Sequence, residues 1–403
     1  MIRTPSQTPR LLGIFAVTQI ISWGSLYYAF SVLSSSIQKE LNVSWELVLG
    51  AFTASVLVSG FAAPLVGMAI DRWGGRPVMA VGSLLSGLGC LVLSVVTGPG
   101  LLFFGWVLIG LGMAGTLYDA AFATIVRTDE RRARRTISLL TLFGGLASTA
   151  FWPLSTWLLG LVGWHGTYQI FGAAHLLLCL PLHLFLPEPT KPVSSSLVKV
   201  ESGGKASILI DTVKMRDFWL LALAFSANSF IFAALAIQMI PLLEAWKHSP
   251  LEILWMTALV GPMQVLGRVV ELALEGKFAI QKVGLVPFLL LPISFFGLWL
   301  FGSQSWMVFL FCGFYGVSNG LMTIVRGVIP KEQFDPAHYG LVSGLLSGFG
   351  VFFRAVGPLV LGLIVEYSTD PRGATFFLLL VALVSLGFFG LASFHRRVAN
   401  LGS

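Results

Sequence analysis

Two charged side chains stand inside apolar stretches. Asp119 lies in Tyr118-Asp119-Ala120-Ala121-Phe122, two helical turns before Arg127. Arg354 lies in Phe352-Phe353-Arg354-Ala355-Val356-Gly357-Pro358. A carboxylate so placed can carry a proton or bind a cationic group, or it can belong to a structural ion pair. A guanidinium stays charged there, so Arg354 demands an anion: a substrate carboxylate, or a protein carboxylate such as Asp119. Arg268 and Glu271 sit one helical turn apart and suit a gate, a local ion pair or substrate binding. Gln19, Tyr27, Tyr28, Asn228, Gln238, Gln264 and Asn319 add polar groups within apolar runs. Singly, each would serve a hydrogen bond between helices. Together they suit a pocket for a small amphipathic molecule.

Enzyme chemistry is not expected. The chain has no P-loop, Ser-His-Asp set, zinc motif or dinucleotide fingerprint, and neither a cofactor nor a metal is implied. Cys90, Cys179 and Cys312 lie within apolar runs without C-x-x-C spacing, so packing is their expected role.

The elements that position these groups follow from composition. Of 403 residues, 56% are hydrophobic and 11% charged, with a mean hydropathy of +0.86. Soluble domains carry about 25% charged residues. The solvent for this chain must therefore be lipid, and continuous apolar runs select helices of roughly 20 residues over a β-barrel. Spans are predicted at 11–35, 46–70, 78–97, 100–126, 136–160 and 167–186, then at 218–243, 251–274, 284–303, 306–328, 339–365 and 373–394. Turn residues separate them, as in Gly98-Pro99-Gly100, Gly163-Trp164-His165-Gly166 and Asp370-Pro371-Arg372-Gly373. Arg3 and Arg10 precede the first run, which is too long for a signal peptide and is expected to remain as a helix.

Charge supports twelve helices. With both termini inside, cytoplasmic segments hold Arg72, Arg76, Arg127, Arg131, Arg132, Arg134, Arg135, Lys191, Lys199, Lys205 and others. External segments hold only Lys39, Lys247 and Arg372. This positive-inside bias accounts for the net charge of +7. Lipid headgroups are expected partners and nucleic acid is not.

The halves echo one another. Thr124-Ile125-Val126-Arg127 ends the fourth helix and Thr323-Ile324-Val325-Arg326 the tenth. A similar offset relates Gly67 and Asp71 to Gly267 and Glu271, and Gln19 to Asn228. The expected domains are a six-helix bundle at 1–186, a cytoplasmic linker at 187–217 and a second six-helix bundle at 218–403.

The segment Gly67-Met68-Ala69-Ile70-Asp71-Arg72-Trp73-Gly74-Gly75-Arg76 resembles the G-x-x-x-D-R-x-G-R signature of the major facilitator superfamily. The resemblance implies an all-α integral membrane fold of twelve helices in two pseudo-symmetric bundles. It implies that Asp71, Arg72 and Arg76 are gating residues whose contacts form and break as the halves rock. Gly340, Gly344, Gly348 and Gly350 give the eleventh helix a small-residue face, which in this family packs near that loop. An Arg on the eighth helix and a basic residue on the eleventh resemble the oxalate/formate antiporter and monocarboxylate carrier branch. Drug antiporters of the family carry an Arg where Trp106 stands, and a glycine-proline pattern where this chain has Gly144-Gly145 through Pro153. The expected function is secondary active transport of a small organic anion such as a monocarboxylate, by alternating access and coupled to protons. Arg354 would bind substrate, with help from the polar set, and Asp119 would couple. Arg268 and Glu271 join the gate. Alternatives are efflux of drugs or toxic compounds, and a non-transporting membrane receptor. The expected setting is the bacterial inner membrane, as a monomer with both termini cytoplasmic.

Overall fold

The computed structural model describes residues 8–187, 212–368 and 370–401. Most of the expected linker, with Lys191, Lys199 and Lys205, lies outside the described residues, as does Arg3. Among the described residues, eleven helical stretches are long and apolar enough to cross a membrane. One of them, Glu130–Leu184, runs for 55 residues. At 1.5 Å per residue that is about 80 Å, against a hydrocarbon core of about 30 Å. It reverses at Gly163, whose φ of 69° is the left-handed value glycine tolerates. The segment therefore makes two crossings, and the described residues make twelve.

We number these α1 (Pro9–Leu41), α2 (Trp45–Trp73), α3 (Gly75–Leu93), α4 (Pro99–Thr128), α5 (130–162) and α6 (164–184). There follow α7 (Arg216–Ala245), α8 (Pro250–Ala273), α9 (Ile280–Phe301), α10 (Ser305–Gln333), α11 (Pro336–Tyr367) and α12 (Pro371–Leu401). Local chemistry sets the ends. Asn42 stops α1 in the left-handed region at φ 49°, so that the helix runs to Leu41, six residues beyond the predicted end. Ser44 caps α2 through Leu47 N–H, and Gly74 at φ 85° turns the chain from α2 into α3. Ser249 and Glu252 close a capping box on α8, with Pro250 in the first turn.

The chain divides into two compact units, Met1–Val198 with Pro330–Gly348, and Lys199–Ile329 with Phe349–Ser403. The opening turns of α11 thus pack in the first unit and its remainder in the second. Each unit has its own apolar core. Leu33, Trp106, Met113, Tyr168 and Phe171 are buried in the first; Leu243, Phe295, Phe311, Tyr315 and Leu378 are buried in the second. Large apolar side chains also cover the outside, with Phe61 75% exposed and Leu177 78% exposed. Such a surface is tolerable only against lipid.

Glycine sets helix spacing in both units. A Cβ on Gly110 of α4 would strike the Ser55 carbonyl of α2, and one on Gly316 of α10 would strike the Val260 carbonyl of α8. The same second-to-fourth-helix contact thus recurs in each unit. On α2, Gly67 lies backbone to backbone against Gly340 of α11, while Gly344 meets Ala63 and Gly348 meets Gly60. Gly350 is off this stripe and faces Ser229. Without a hydrophobic drive between helices in lipid, this close approach supplies the packing energy.

Gly67→Val should therefore prevent α2 and α11 from closing and cut the yield of folded, monodisperse protein severalfold. Gly13→Ala, where an added Cβ meets nothing within 4 Å, should match the parent. Size-exclusion profiles and thermal melts in detergent would show the difference.

Candidate functional site

The fourth helix is not continuous. It was expected as one span over 100–126, but its first segment ends at Thr116 and a second begins at Tyr118. Between them Leu117 is extended, at φ −81° and ψ −170°. A break within a span exposes backbone groups that lipid cannot satisfy. Gln19 of α1 answers one of them: its Nε2 donates to the Thr116 carbonyl at 2.6 Å, and the side chain is fully buried. Gln19 reads as a cavity group in the sequence, and the break has no proline to announce it. Gly112 and Gly115 just before it were the available signal.

Asp119 falls in the first turn of the second segment, where the positive end of the helix dipole favours a carboxylate. Its Oδ1 accepts from the Ser347 hydroxyl of α11 at 2.9 Å. Beside it runs a crevice of about 10 Å³ lined by Ala63, Val66, Gly67, Ala114, Gly340 and Gly344, room for about one water. Aromatic rings flank the break. Tyr118 lies 5.0 Å from Trp23, which also meets Tyr27 at 5.6 Å and Tyr28 at 6.1 Å. Tyr27 and Tyr28 close a π-helical turn, Gly24–Tyr28, inside α1. A second such turn, His175–Cys179, interrupts α6. The two are joined by Ser25 Oγ and His175 Nε2 at 2.9 Å. π-Turns of this kind are frequent at functional sites.

Asp71 reaches the start of α11. Its two carboxylate oxygens accept from the backbone N–H groups of Gly340 and Leu341, each at 2.9 Å. These are orphan donors of a helix N-terminus, and the contact is charge-assisted. Arg76 donates from Nε and Nη2 to the Leu186 carbonyl at the end of α6, at 2.9 and 2.7 Å. The Arg72 guanidinium lies over the ring of Trp73, 5.3 Å from its centroid. The three signature residues therefore engage backbone and an aromatic face. Sequence spacing located them without revealing those partners.

In the second unit, Arg354 is half-buried on α11, with its guanidinium and Ser229 of α7 both near the side-chain position of Gly350. Asn228, next to Ser229, is 1% exposed, and neither its side-chain oxygen nor its nitrogen has a hydrogen-bond partner among the described residues. An amide so placed is costly unless a ligand or water meets it. Gln238 donates to the Pro358 carbonyl at 3.2 Å, four residues beyond Arg354. Gln264 packs its backbone against Gly320, and Asn319 is half-buried on α10. Arg268 and Glu271 are both buried on α8, at 6% and 1% exposure. The three cysteines are free and buried.

Comparison with known proteins places this architecture. The Major Facilitator Superfamily profile matches residues 15–302. Human monocarboxylate transporter 11 is 35% identical over 150 residues, 34% of this chain and 30% of that protein. The uncharacterized transporter YycB of Bacillus subtilis (strain 168) is 26% identical over 377 residues, 90% of this chain and 88% of its own length. Among solved structures, the Major Facilitator Superfamily transporter FucP in its outward conformation aligns with a TM-score of 0.76 at 14% identity, covering 96% of this chain and 99% of FucP. The chain spans only 48%, 30% and 32% of three curated relatives that it matches. With the signature loop, the twelve crossings and a profile match over most of its length, the chain is an integral membrane protein belonging to the Major Facilitator Superfamily.

Proposed function

We propose that the protein is a secondary active transporter that moves a small organic anion, such as a monocarboxylate, by alternating access and coupled to protons. One observation carries the reading: Asp119 stands at a break within a membrane span and is bonded by a neutral hydroxyl, Ser347. A structural ion pair would require a cationic partner, and none bonds Asp119 among the described residues. Ser347 can donate to the ionised carboxylate or accept from the protonated one, so a proton can come and go without stranding either group.

The anion reading is supported by Arg354, whose fixed positive charge and the Ser229 hydroxyl both lie within 4 Å of the side-chain position of Gly350, and by the unpartnered amide of Asn228, next in sequence to Ser229. A guanidinium binds carboxylates in a two-pronged geometry, and Asn228 and Ser229 can complete the oxygen's remaining bonds. The relative named as a monocarboxylate transporter supports the same substrate class. Tyr27, Tyr28, Gln19, Gln238, Gln264 and Asn319 would shape the pocket. Asp71, Arg72, Arg76, Arg268 and Glu271 would serve the gate. Protons and the anion are the partners, and a bacterial inner membrane with both termini cytoplasmic suits the charge distribution. The transporter would act as a monomer.

Proteoliposomes loaded with an imposed pH gradient test the coupling. Asp119→Asn should lose pH-driven accumulation while retaining gradient-free exchange; undiminished accumulation would remove Asp119 from that role. Arg354→Gln should raise the half-saturating anion concentration about tenfold, the size of one charge-assisted hydrogen bond. An unchanged anion preference would point instead to efflux of other compounds. For the gate, Asp71→Ala removes both bonds to α11 and should destabilise the protein by about 1–2 kcal/mol. It should also slow transport, whereas Asp71→Asn, which keeps one acceptor, should fall between the two in thermal melts and uptake assays.

A further inference from the structure

At the end of the first unit away from the arginine-bearing turns, four groups meet. Gly163 turns the chain between α5 and α6 and presents Trp164 and His165 in succession. Trp164 Nε1 donates to Glu40 Oε2 at 2.6 Å, and the Trp164 and His165 rings stack with centroids 3.6 Å apart. His165 Nε2 lies 2.8 Å from Glu40 Oε1, and its Nδ1 lies 2.8 Å from the carbonyl oxygen of Ser94. Glu40 ends α1 and Ser94 caps α3, so three helix ends converge on one imidazole.

From this geometry we infer that His165 is a proton-binding site, an imidazolium that clamps α1, α3 and α6 together. A carbonyl oxygen only accepts, and so does an ionised carboxylate. A neutral imidazole owns a single N–H and could satisfy one of them. Both contacts are made, so the group holds one proton more than a neutral ring beside a carboxylate. The Trp164 N–H and the 54% exposure of the Glu40 side chain keep that carboxylate ionised, which leaves the proton on the ring. Among the described residues, Lys39 of α1 and Glu46 of α2 are exposed, α3 meets the ring through the Ser94 carbonyl, and Tyr168 of α6 is buried.

The second unit supplies a contrast. There His248 Nε2 donates to the Gly302 carbonyl at 2.7 Å, while Glu252 accepts from Ser249 and from Ser305. That arrangement needs only a neutral ring. The extra proton belongs to the His165 cluster.

Raising the pH removes it. One N–H then remains for two acceptors, so either the Ser94 or the Glu40 contact opens and three helix ends loosen. The stability this cluster contributes is thus present while the ring holds both protons and is lost when it gives one up. The inference is independent of the proposed substrate.

Nitrogen-15 NMR on the full-length protein in micelles, labelled at histidine, reads the ring directly. The signals lost in His165→Ala should show both nitrogens protonated at about pH 6 and one deprotonated by about pH 9. A neutral ring already at pH 6 would overturn the proposal. The melting temperature of the parent should also fall by about 2–4 °C between those pH values. That slope should flatten in His165→Ala. Should the alanine variant fail to fold, Glu40→Gln, which keeps the stacking on Trp164, should flatten it too. A parent slope that persists unchanged in the folded variant would equally overturn it.

Discussion

Lipid offers a backbone no hydrogen bonds, and the rest of this structure answers to that fact. Regular helix satisfies most N–H and C=O groups within each span. The informative places are those where the helix stops or breaks, because there a side chain must take over. Gln19 covers the Thr116 carbonyl at the break in α4, Asp71 covers two amides at the start of α11, and Arg76 covers the Leu186 carbonyl after α6. Gln19, Asp71 and Arg76, which read as pocket or gate residues in the sequence, are first of all substitutes for missing backbone partners. That role does not compete with function, since a side chain that completes a helix end also feels any movement of that end.

The second constraint is separation. Lipid tails are as apolar as leucine, so helices gain by close approach rather than by hiding from water. Here α2 is the platform, receiving Gly110 of α4 at Ser55, and Gly340, Gly344 and Gly348 of α11 at Gly67, Ala63 and Gly60. A contact made of glycine backbones has no interdigitated side chains to withdraw. The barrier to sliding or parting along it is low compared with a knobs-into-holes seam. Asp119 lies at the edge of this seam, through Ser347.

Much of this was legible in the residues. Hydropathy and loop charge yielded twelve spans because both effects act on long runs and tolerate local error. The crossing between α5 and α6 was legible in Gly163-Trp164-His165-Gly166, which combines a left-handed glycine with polar side chains. The signature loop was legible from Asp71, Arg72 and Arg76, since their spacing is a pattern of types. What could not be read was geometry that depends on a partner distant in sequence. Asp71 and Gly340 are 269 residues apart, and nothing local to either says that a carboxylate will meet an amide. The extended residue at Leu117 was hidden for a similar reason: Leu117 itself is a good helix former, and the break is sustained from outside by Gln19. Gly350 was grouped with Gly340, Gly344 and Gly348 on composition, but two residues on from Gly348 is a different helix face.

These two constraints act together at the junction of α2 and α11. The glycine stripe fixes how near the helices come, but it is weakly directional and would permit slippage by a turn. Asp71 removes that freedom, because both of its oxygens must meet two particular amides. Such bonds lie near a span end, where water can replace them at modest net cost, whereas Asp119 and Ser347 lie deeper, beside a crevice with room for about one water. Parting the seam therefore asks for hydration at one end and for a new partner at the other.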